Sequence, residues 1–296
     1  MSKKISEEKI LIQLIELAAR EKSPFESEPQ LLGVYHRAEG LRSMHKHDDR
    51  LELNFIFSGN GTQVIDGELC NVQAGDVLIY NAGVLHDESL MICSNLEAWC
   101  IAVKNLKLPN RPVNELVPKN FRPRVPCQSV AGELAQLYPL VHHYAQQKND
   151  YQIANSLARA VVLIVYKMIQ STAPEANKEK NSVVEQMREH IEKNYAEDFC
   201  LDDFKAFAYY DQHYLARLFK KATGYSPREY ILRRRIGKAQ CLLIYTSLPL
   251  TEISARVGYD DPNYFGRAFK KIIGMSPLSW RKKWRELSSG SVPSDV

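Results

Sequence analysis

The sequence predicts a multidomain α+β protein in which an N-terminal β-barrel with flanking helices precedes an all-α domain. Three observations predict this fold class. The chain has 296 residues, more than the roughly 100 to 150 of a typical single domain. Residues 31–103 consist of short apolar stretches separated by glycine-containing turns, as is typical of antiparallel strands. The last third contains two similar copies of one helical pattern, which predicts two helix-turn-helix units joined by a long helix.

The composition excludes two classes of protein. The longest apolar run covers residues 157–169, fewer than the about 20 residues that span a bilayer, and Arg159 and Lys167 interrupt it. The six cysteines include no Cys-x-x-Cys pair, so neither a zinc clip nor a disulfide framework is encoded. The apolar segment near the N-terminus lacks the cleavage pattern of a signal peptide. We therefore expect a cytoplasmic protein.

Positive charge is concentrated in the C-terminal part of the chain. Residues 182–296 contain 19 Lys and Arg against 14 Asp and Glu, a net +5. Residues 1–181 contain 20 against 21, a net −1. A modest excess of this kind favours a polyanionic partner for the C-terminal part, although many exposed helical surfaces share it.

The N-terminal third begins with a helix pattern and continues with strand patterns. Residues 5–20 have the apolar spacing of an amphipathic helix. The clearest hairpin consists of residues 62–65 followed by Asp66-Gly67, because this dipeptide supplies the two positive φ angles that a two-residue turn requires. We therefore expect an antiparallel arrangement of the strands.

Helices and loops connect the barrel to the repeated units. Residues 105–127 are rich in Pro, Asn and Arg and are expected to be irregular. Helices are predicted at about 128–147 and 151–170. The second is apolar nearly all round, which predicts burial in its own domain or against a second copy of the chain. The expected division is an N-terminal helix or arm (1–24), a barrel (25–104), connecting and dimerisation helices (105–170), a linker (171–181), the two units (182–287) and a disordered tail (288–296).

An internal repeat is the most informative feature of the sequence. Adding 50 to a position in the first copy gives a matching residue in the second, and chance does not readily produce such a series. For matching residues that precede Tyr214 and Tyr264 the offset is 49. The increase from 49 to 50 means that the second copy has one extra residue in its turn. The matches at offset 50 are Tyr214 with Tyr264, Arg217 with Arg267, Phe219-Lys220-Lys221 with Phe269-Lys270-Lys271, Gly224 with Gly274, and Ser226-Pro227 with Ser276-Pro277.

Each copy is predicted to contain two helices separated by a short turn. Asp261 followed by Pro262 is a typical helix start, with a capping carboxylate and then a proline at the first helical position. The second helix of each unit has one apolar face and one face that carries hydrogen-bonding and basic groups. The predicted helices are 201–208 and 212–221 in unit one, 250–257 and 262–272 in unit two, and a linking helix at 228–245.

This division of faces suits a helix that enters the DNA major groove, where base edges offer donors and acceptors and phosphates attract cations. A helical bundle with solvated basic faces would explain a single unit equally well. The duplication with matched basic positions favours DNA recognition.

The repeated units resemble the AraC/XylS family of transcription regulators. The resemblance covers about residues 183–284. It is carried by Arg235-Ile236-x-x-Ala239-x-x-Leu242-Leu243, Glu252-Ile253 to Gly258-Tyr259, Asn263-Tyr264-Phe265-x-Arg267-x-Phe269-Lys270-Lys271, and Gly274-x-Ser276-Pro277-x-x-Trp280-Arg281.

The family resemblance implies which residues contact DNA. In such proteins the second helix of each unit enters the major groove and contacts base edges from its first two turns. Carried over position by position, this implicates His213, Ala216 and Arg217 in unit one, and Pro262, Asn263, Gly266 and Arg267 in unit two, with Lys220 and Lys270 on phosphates. Unit one departs from the pattern, because Lys205 stands where a small residue is usual and Tyr209 stands near the expected glycine.

Three histidines and a glutamate recur at a suggestive spacing in the barrel region. His45 and His47 are two residues apart and so point to the same side of a strand, where Glu52 and His86 could join them. Three His and one Glu form a reasonable site for Mn, Fe, Ni or Zn.

The spacing of these residues resembles the two cupin motifs, with Asn81 in place of a usual proline. This resemblance implies the jelly-roll effector domain of AraC-like regulators. Such regulators often keep these histidines without a metal, so we expect a ligand pocket without a cofactor, with Tyr35, Arg37, Phe57 and Trp99 as candidate walls.

Two functions are compatible with these features. In the first, the protein is a sequence-specific DNA-binding transcription regulator and not an enzyme. A small molecule such as a sugar binds in the barrel and alters how the helices at 128–170 present the DNA-binding units. In the second, the barrel is a metal-dependent oxygenase or isomerase fused to a DNA-binding domain. No further acid, base or nucleophile accompanies the four residues, which favours the first. The expected partners are promoter DNA, the effector, a second copy of the chain and, for an activator, RNA polymerase.

Overall fold

The computed structural model describes residues 23–36, 42–88, 95–118, 121–147, 149–171, 182–198 and 211–289. Several expectations fall outside these ranges. They are the N-terminal helix at 5–20, the candidate wall Arg37, nearly all of the linker, the first helix of unit one with Lys205 and Tyr209, and the tail after residue 289.

Two antiparallel sheets form the N-terminal domain within the described residues. The first has five strands in the order β1-β7-β2-β5-β8, and the second has three in the order β4-β3-β6. The strands are β1 (Gln30–His36), β2 (Leu51–Ser58), β3 (Asn60–Ile65), β4 (Glu68–Gln73), β5 (Asp76–Tyr80), β6 (His86–Asp87), β7 (Glu97–Lys104) and β8 (Arg124–Pro126).

The predicted hairpin joins β3 to β4. Asp66 and Gly67 have φ angles of +49° and +68°, and Ile65 pairs with Glu68 across the turn. Both central residues therefore adopt the left-handed conformation that a tight hairpin turn requires, and the prediction is confirmed.

Alternation along β2 divides its side chains between two environments. Leu51, Leu53 and Phe55 pack in the core that lies between the five-stranded sheet and the helices that follow it. Ile56 packs between the two sheets. Because alternate residues of a strand share a face, the buried Glu52 lies on the same side as Ile56, inside the barrel.

The described residues contain eight α-helices. A short 3₁₀ turn, Gln128–Val130, precedes the first of them, and the region expected to be irregular contributes the edge strand β8. The last helix ends at Ser289, two residues inside the expected tail. The helices are α1 (Ala131–Ala145), α2 (Tyr151–Ser171), α3 (Ser182–Asn194), α4 (Gln212–Thr223), α5 (Pro227–Tyr245), α6 (Leu250–Arg256), α7 (Pro262–Ile273) and α8 (Pro277–Ser289).

Helix α2 is long and apolar enough, by length and composition alone, to cross a membrane. Its buried residues include Ala158, Val161 and Val165, and these belong to the core that α1 and α2 form with β1, β2 and β7. Packing against the barrel therefore accounts for one face of its apolar surface. Tyr151 and Ile153 at its start remain exposed.

The two helix-turn-helix units have separate cores. Residues of α5, α6, α7 and α8 form the core of unit two. The core of unit one combines α3, α4 and α5 with three side chains of the barrel, Met44, Val64 and Leu85. Unit one is therefore packed directly against the barrel, whereas the core of unit two consists of its own helices.

Candidate DNA-recognition surface and effector site

Helices α4 and α7 begin and end in the same way. The Asp211 carboxylate accepts a hydrogen bond from the His213 amide at 2.9 Å, and Asp261 accepts one from the Asn263 amide at 2.8 Å. At the other end, the N–H of Gly224 or of its counterpart in unit two donates to a lysine carbonyl one turn earlier, at 2.8 Å in each case. These caps satisfy backbone groups that a helix end otherwise leaves unpaired.

The repeat extends to solvent exposure. The order of buried, half-buried and exposed residues is the same in 211–220 and 261–270. His213, Arg217, Asn263 and Arg267 are exposed in these helices. Lys220 and Lys270 are also exposed, whereas Ala216, Pro262 and Gly266 are half-buried. The nine residues implicated in DNA binding therefore lie on the part of α4 and α7 that is turned away from the buried core residues.

Two exposed tyrosines belong to the same surface and are absent from the predicted contact set. Tyr214 is 44% exposed and Tyr264 is 58% exposed. The Arg267 guanidinium lies 5.9 Å from the centre of the Tyr264 ring. The sequence signal for these residues was that both copies have a tyrosine at the same position. A repeated tyrosine is also typical of a core position, so only the exposure of the side chains distinguishes the two.

Arg235 of the linking helix joins the segment after α3 to the turn of unit two. Its Nε donates to the Tyr195 carbonyl at 2.5 Å and its Nη2 to the Glu197 carbonyl at 2.6 Å, both just after α3. Its Nη1 donates to the carbonyl of Gly258, in the turn of unit two, at 2.6 Å. One guanidinium thus contacts three carbonyls and restrains the positions of the two units.

The barrel interior brings together a buried cluster of two histidines and two glutamates. His45, Glu52, His86 and Glu88 each offer one ligand atom, and these atoms all lie within 4.8 Å of one another. His86 Nε2 is 3.6 Å from Glu52 Oε2 and 3.9 Å from Glu88 Oε1. Glu88 was absent from the predicted set, because it follows His86 by two residues outside the cupin spacing.

Backbone contacts fix the orientation of both histidine rings in this cluster. Nδ1 of His45 lies 2.8 Å from the Ser43 carbonyl, and Nδ1 of His86 lies 3.0 Å from the Val84 carbonyl. A carbonyl can only accept, so each Nδ1 carries a proton, and Nε2 is the ring atom left to bind a metal. This is the arrangement that supports metal-ligating histidines. The donor set of two imidazoles and two carboxylates fits Mn, Fe, Ni or Zn.

His47 lies beside the cluster but has a different partner. Arg42 Nη1 donates to His47 Nε2 at 3.1 Å, while Glu52 Oε1 is 3.5 Å from the same nitrogen. Burial lowers the pKa of His47 to about 3, with Glu52 opposing the shift and the Arg42 and Arg50 charges reinforcing it. His47 is therefore neutral at physiological pH, and its Nε2 lone pair is used by the guanidinium.

Only one of the described candidate walls lies beside this cluster. Tyr35 is placed near Glu52 and Arg42, and burial raises its pKa to about 12. Trp99 instead packs against His36 and against His142 of α1, on the other face of the sheet. Phe57 is 43% exposed. Trp99 and Phe57 are therefore not walls of this site, because their position in the alternation of β7 and β2 turns them away from Glu52.

The linking helix α5 contacts the barrel next to the histidines. The Ser43 amide donates to Gln240 Oε1 at 2.8 Å, and the Ser43 hydroxyl donates to the Arg233 carbonyl at 3.2 Å. Gly237 lies so close that a Cβ atom there would overlap the carbonyl oxygen of Met44. The segment that carries His45 is thus in direct contact with the backbone of α5.

Charged groups and rings extend this contact on both sides. Arg188 of α3 pairs with Asp66 of the hairpin turn at 3.0 Å. Beside the cluster, the Tyr245 ring at the end of α5 lies edge-on to His47, with 6.3 Å between the ring centres. Arg50 Nη1 donates to the Tyr245 hydroxyl at 3.4 Å. The mouth of the barrel therefore faces the DNA-binding domain.

Comparison with known proteins accords with both halves of this architecture. The helix-turn-helix domain family matches residues 206–283, and the cupin domain family matches residues 35–89. The transcriptional activator RhaS of Shigella sonnei is 24% identical over 72% of this chain and 78% of its own length. The Msm operon regulatory protein of Streptococcus mutans is 25% identical over 71% of this chain and 76% of its own.

The chain belongs to the AraC family of transcription regulators. Among solved structures, it is also similar to the C-terminal domain of AraT, a response regulator from Geobacillus stearothermophilus. The identity is 36%, the TM-score is 0.34, and the match covers 36% of this chain and 88% of that one.

Membership of the AraC family confirms the two resemblances and the fold class predicted from the sequence. This AraC-family regulator is a DNA-binding transcription regulator with a cupin-like ligand-binding domain. Its individual contact residues and its effector remain predictions.

Proposed function

We propose that this AraC-family protein regulates a promoter in response to a small molecule bound in the barrel, and that the linking helix α5 transmits the signal. The observation that carries the proposal is the contact between Ser43 and α5. Ser43 is two residues from His45, and it hydrogen-bonds Gln240 and the Arg233 carbonyl of the helix that joins the two units. A ligand that moves this segment must therefore strain or relieve its contacts with α5.

The shared core of unit one supports this route. Met44 and Leu85, which neighbour His45 and His86 in sequence, pack with helices α3, α4 and α5. The helices at 128–170, which the sequence suggested as the transmitting element, pack mainly on the opposite face of the five-stranded sheet. We therefore propose a direct route from the barrel to unit one, while unit two keeps an independent core.

For DNA, we propose that α4 and α7 enter successive major grooves. His213, Arg217, Asn263 and Arg267 are the proposed base contacts, because they are exposed and can donate or accept hydrogen bonds. Lys220 and Lys270 would contact phosphates. Ala216, Pro262 and Gly266 would permit close approach and offer no side-chain hydrogen bond.

Further proposals concern partners and location. We propose that the protein acts in the cytoplasm, without enzymatic activity, and as a homodimer through α2. RhaS is a transcriptional activator; if this protein is one too, it contacts RNA polymerase. The exposed Tyr151 and Ile153 at the start of α2 support the dimer. Light scattering that shows a monomer at micromolar concentration would contradict it. A sugar remains one candidate class of effector.

The proposed function is tested by selecting DNA from a random pool with the full-length protein and then measuring operator affinity with a panel of small molecules. We expect at least one compound to change the Kd about 5-fold or more at constant salt. In the Gln240→Leu variant, which loses the acceptor for the Ser43 amide, the same compound should bind but change the Kd less. A compound that binds the barrel and leaves operator affinity unchanged in the wild type would contradict the proposed coupling.

A further inference from the structure

Arg42, at the barrel mouth, has a buried guanidinium that is only partly paired. The residue is 6% exposed, and its Nη1 donates to His47 Nε2 at 3.1 Å. Its Nε and Nη2 atoms are also buried, and neither has a hydrogen-bond partner. Within the described part of the chain, no carboxylate lies within 4.0 Å of this guanidinium.

An arrangement of this kind is unfavourable for the protein alone. A buried charge without a counter-ion carries a large desolvation penalty, and arginine does not escape it by losing its proton. Glu52 acts on this guanidinium through space but does not pair with it, and His47 satisfies only one of its donors. The site therefore lacks a directly paired counter-ion and is incomplete in hydrogen bonds.

The geometry of the two remaining donors indicates what completes it. Nε–H and the nearer N–H of Nη2 point in the same direction from one edge of the planar guanidinium. This edge forms two parallel hydrogen bonds with a pair of oxygen atoms on one carbon or phosphorus. A single hydroxyl group would satisfy one donor and none of the charge.

Aromatic rings surround the same guanidinium. The Trp284 ring of α8 lies 5.7 Å from the Arg42 guanidinium carbon, and the Tyr35 ring lies edge-on to Trp284, with 6.3 Å between ring centres. Tyr245, whose ring lies edge-on to His47, is contacted by a second cation, Arg50, whose guanidinium carbon is 5.5 Å from the ring centre. Apolar surface and positive charge therefore occur together, with groups from both domains.

We infer that the effector of this protein is an anion, and that Arg42 binds its carboxylate or phosphate group through Nε and Nη2. This inference rests on the proposed function, because it takes the barrel to be the effector site. It changes the expected class of effector from a neutral sugar to an acidic ligand. Because Trp284 belongs to the DNA-binding domain, a ligand at Arg42 is held between the two domains. Its binding therefore stabilises the docked arrangement of barrel and α8.

The test uses acetate and inorganic phosphate as probes for the two oxyanion classes, with chloride as the reference at equal ionic strength. Thermal unfolding of the full-length protein is measured for the wild type, Arg42→Met and Arg256→Met. Arg256 is an exposed arginine of α6 and serves as the matched control. We expect acetate, phosphate or both to raise the Tm of the wild type and of Arg256→Met by about 2 °C or more relative to chloride. Arg42→Met should show no such rise.

Arg42→Lys provides a second variant that keeps the charge if Arg42→Met does not fold. It lacks the two parallel donors, so we expect its response to either oxyanion to be reduced. A rise with acetate alone assigns a carboxylate ligand, and a rise with phosphate alone assigns a phosphate ligand. No rise above chloride in the wild type, or an equal rise in both Arg42 variants, means an adventitious ion only and overturns the inference.

The failure of this inference is distinguishable from failure of the proposed function. If an uncharged compound shifts operator affinity while oxyanions have no effect through Arg42, the proposed function stands and the anionic effector is wrong. If oxyanions bind at Arg42 but no compound changes operator affinity, the site exists and the proposed coupling is wrong.

Discussion

Matched positions of the two recognition helices differ in what they can hydrogen-bond. Unit one presents His213 where unit two presents Asn263, and both present an arginine four residues later. Asparagine pairs bidentately with adenine and arginine with guanine, so unit two carries the better-defined pair of donors and acceptors. Sequence specificity should therefore depend more on unit two than on unit one.

Arg267 and Lys270 give a prediction that separates specificity from general affinity. Arg267→Ala should raise the operator Kd about 10- to 100-fold and leave binding to unrelated DNA nearly unchanged, because a base contact is lost. Lys270→Ala should weaken binding to both DNAs and lower the salt dependence by about one counter-ion. Gel-shift titrations at several salt concentrations measure both effects. Both side chains are exposed, so neither substitution should change the Tm. If Arg267→Ala weakened binding to the operator and to unrelated DNA equally, Arg267 would not be a base contact.

The barrel cluster gives a second prediction at the residue scale. In place of the cofactor-free pocket expected from the sequence, we expect a divalent metal to bind through His45, Glu52, His86 and Glu88, because their ligand atoms converge. Glu88→Gln should lower the affinity for Mn²⁺ or Zn²⁺ at least about tenfold, because a loss of this size follows even when a residue that only supports a metal ligand is changed. His47→Gln should have little effect, since His47 already accepts from Arg42. Isothermal titration of EDTA-treated protein tests this, and a larger loss in His47→Gln would exclude the assignment.

Among the elements, the turn of unit two is the most tightly constrained. Gly258 has a φ of +85°, and a Cβ there would overlap the carbonyl oxygen of Ala196, which follows α3. The same glycine offers its own carbonyl to Arg235. This turn therefore connects unit two with the end of the first described helix of unit one, and a side chain at position 258 would separate them.

Gly258→Ala and Gly274→Ala form a matched pair. Both glycines have left-handed φ angles, of +85° and +84°, but a Cβ at Gly274 meets no atom within 4 Å. Gly274→Ala should cost about 1 to 2 kcal/mol from backbone strain alone. Gly258→Ala should cost clearly more, because the clash with Ala196 adds to the strain. Thermal unfolding of the two variants compares them, and equal destabilisation would show that the clash is relieved at no cost.

At the scale of the whole molecule, the barrel and the DNA-binding domain form one packed body through α5 and the core of unit one. The contact combines the hydrogen bonds of Ser43, the ion pair of Arg188 with Asp66 and the shared apolar core. This contact can affect regulation only if the two domains can separate. Gly237 is the position where a small substitution should separate them.

Gly237→Ala should weaken docking, because its methyl group would overlap the Met44 carbonyl oxygen and α5 must move away. We expect faster proteolysis between α2 and α3 and a smaller response of operator affinity to the effector. Gly266→Ala is the control for docking, because it is also a glycine-to-alanine change within a helix but meets no atom within 4 Å. It should leave proteolysis unchanged and stabilise α7 by up to about 1 kcal/mol. Identical proteolysis of both variants would argue against a tight interface.

Local sequence patterns were sufficient for much of this architecture. The hairpin at Asp66-Gly67, the cap at Asp261 and the helices α4 and α7 were predictable because each depends on a few neighbouring residues and on periodicity. The convergence of His45, Glu52 and His86 followed from strand alternation and the spacing of the cupin motifs. The short strand β8 was missed, because three residues among prolines carry no periodic signal.

Other features depend on contacts between residues far apart in the chain, which no local pattern encodes. Glu88 joins the cluster, His47 is diverted to Arg42, and Trp99 turns to α1, because packing decided which side of each strand meets which neighbour. The close packing of α5 against Met44 likewise depends on residues that are far apart in the chain. Local patterns along the chain were thus enough to predict a ligand-binding barrel and two DNA-binding units. That the barrel mouth, with its partly paired Arg42, lies against those units depends on contacts that form only in the folded protein.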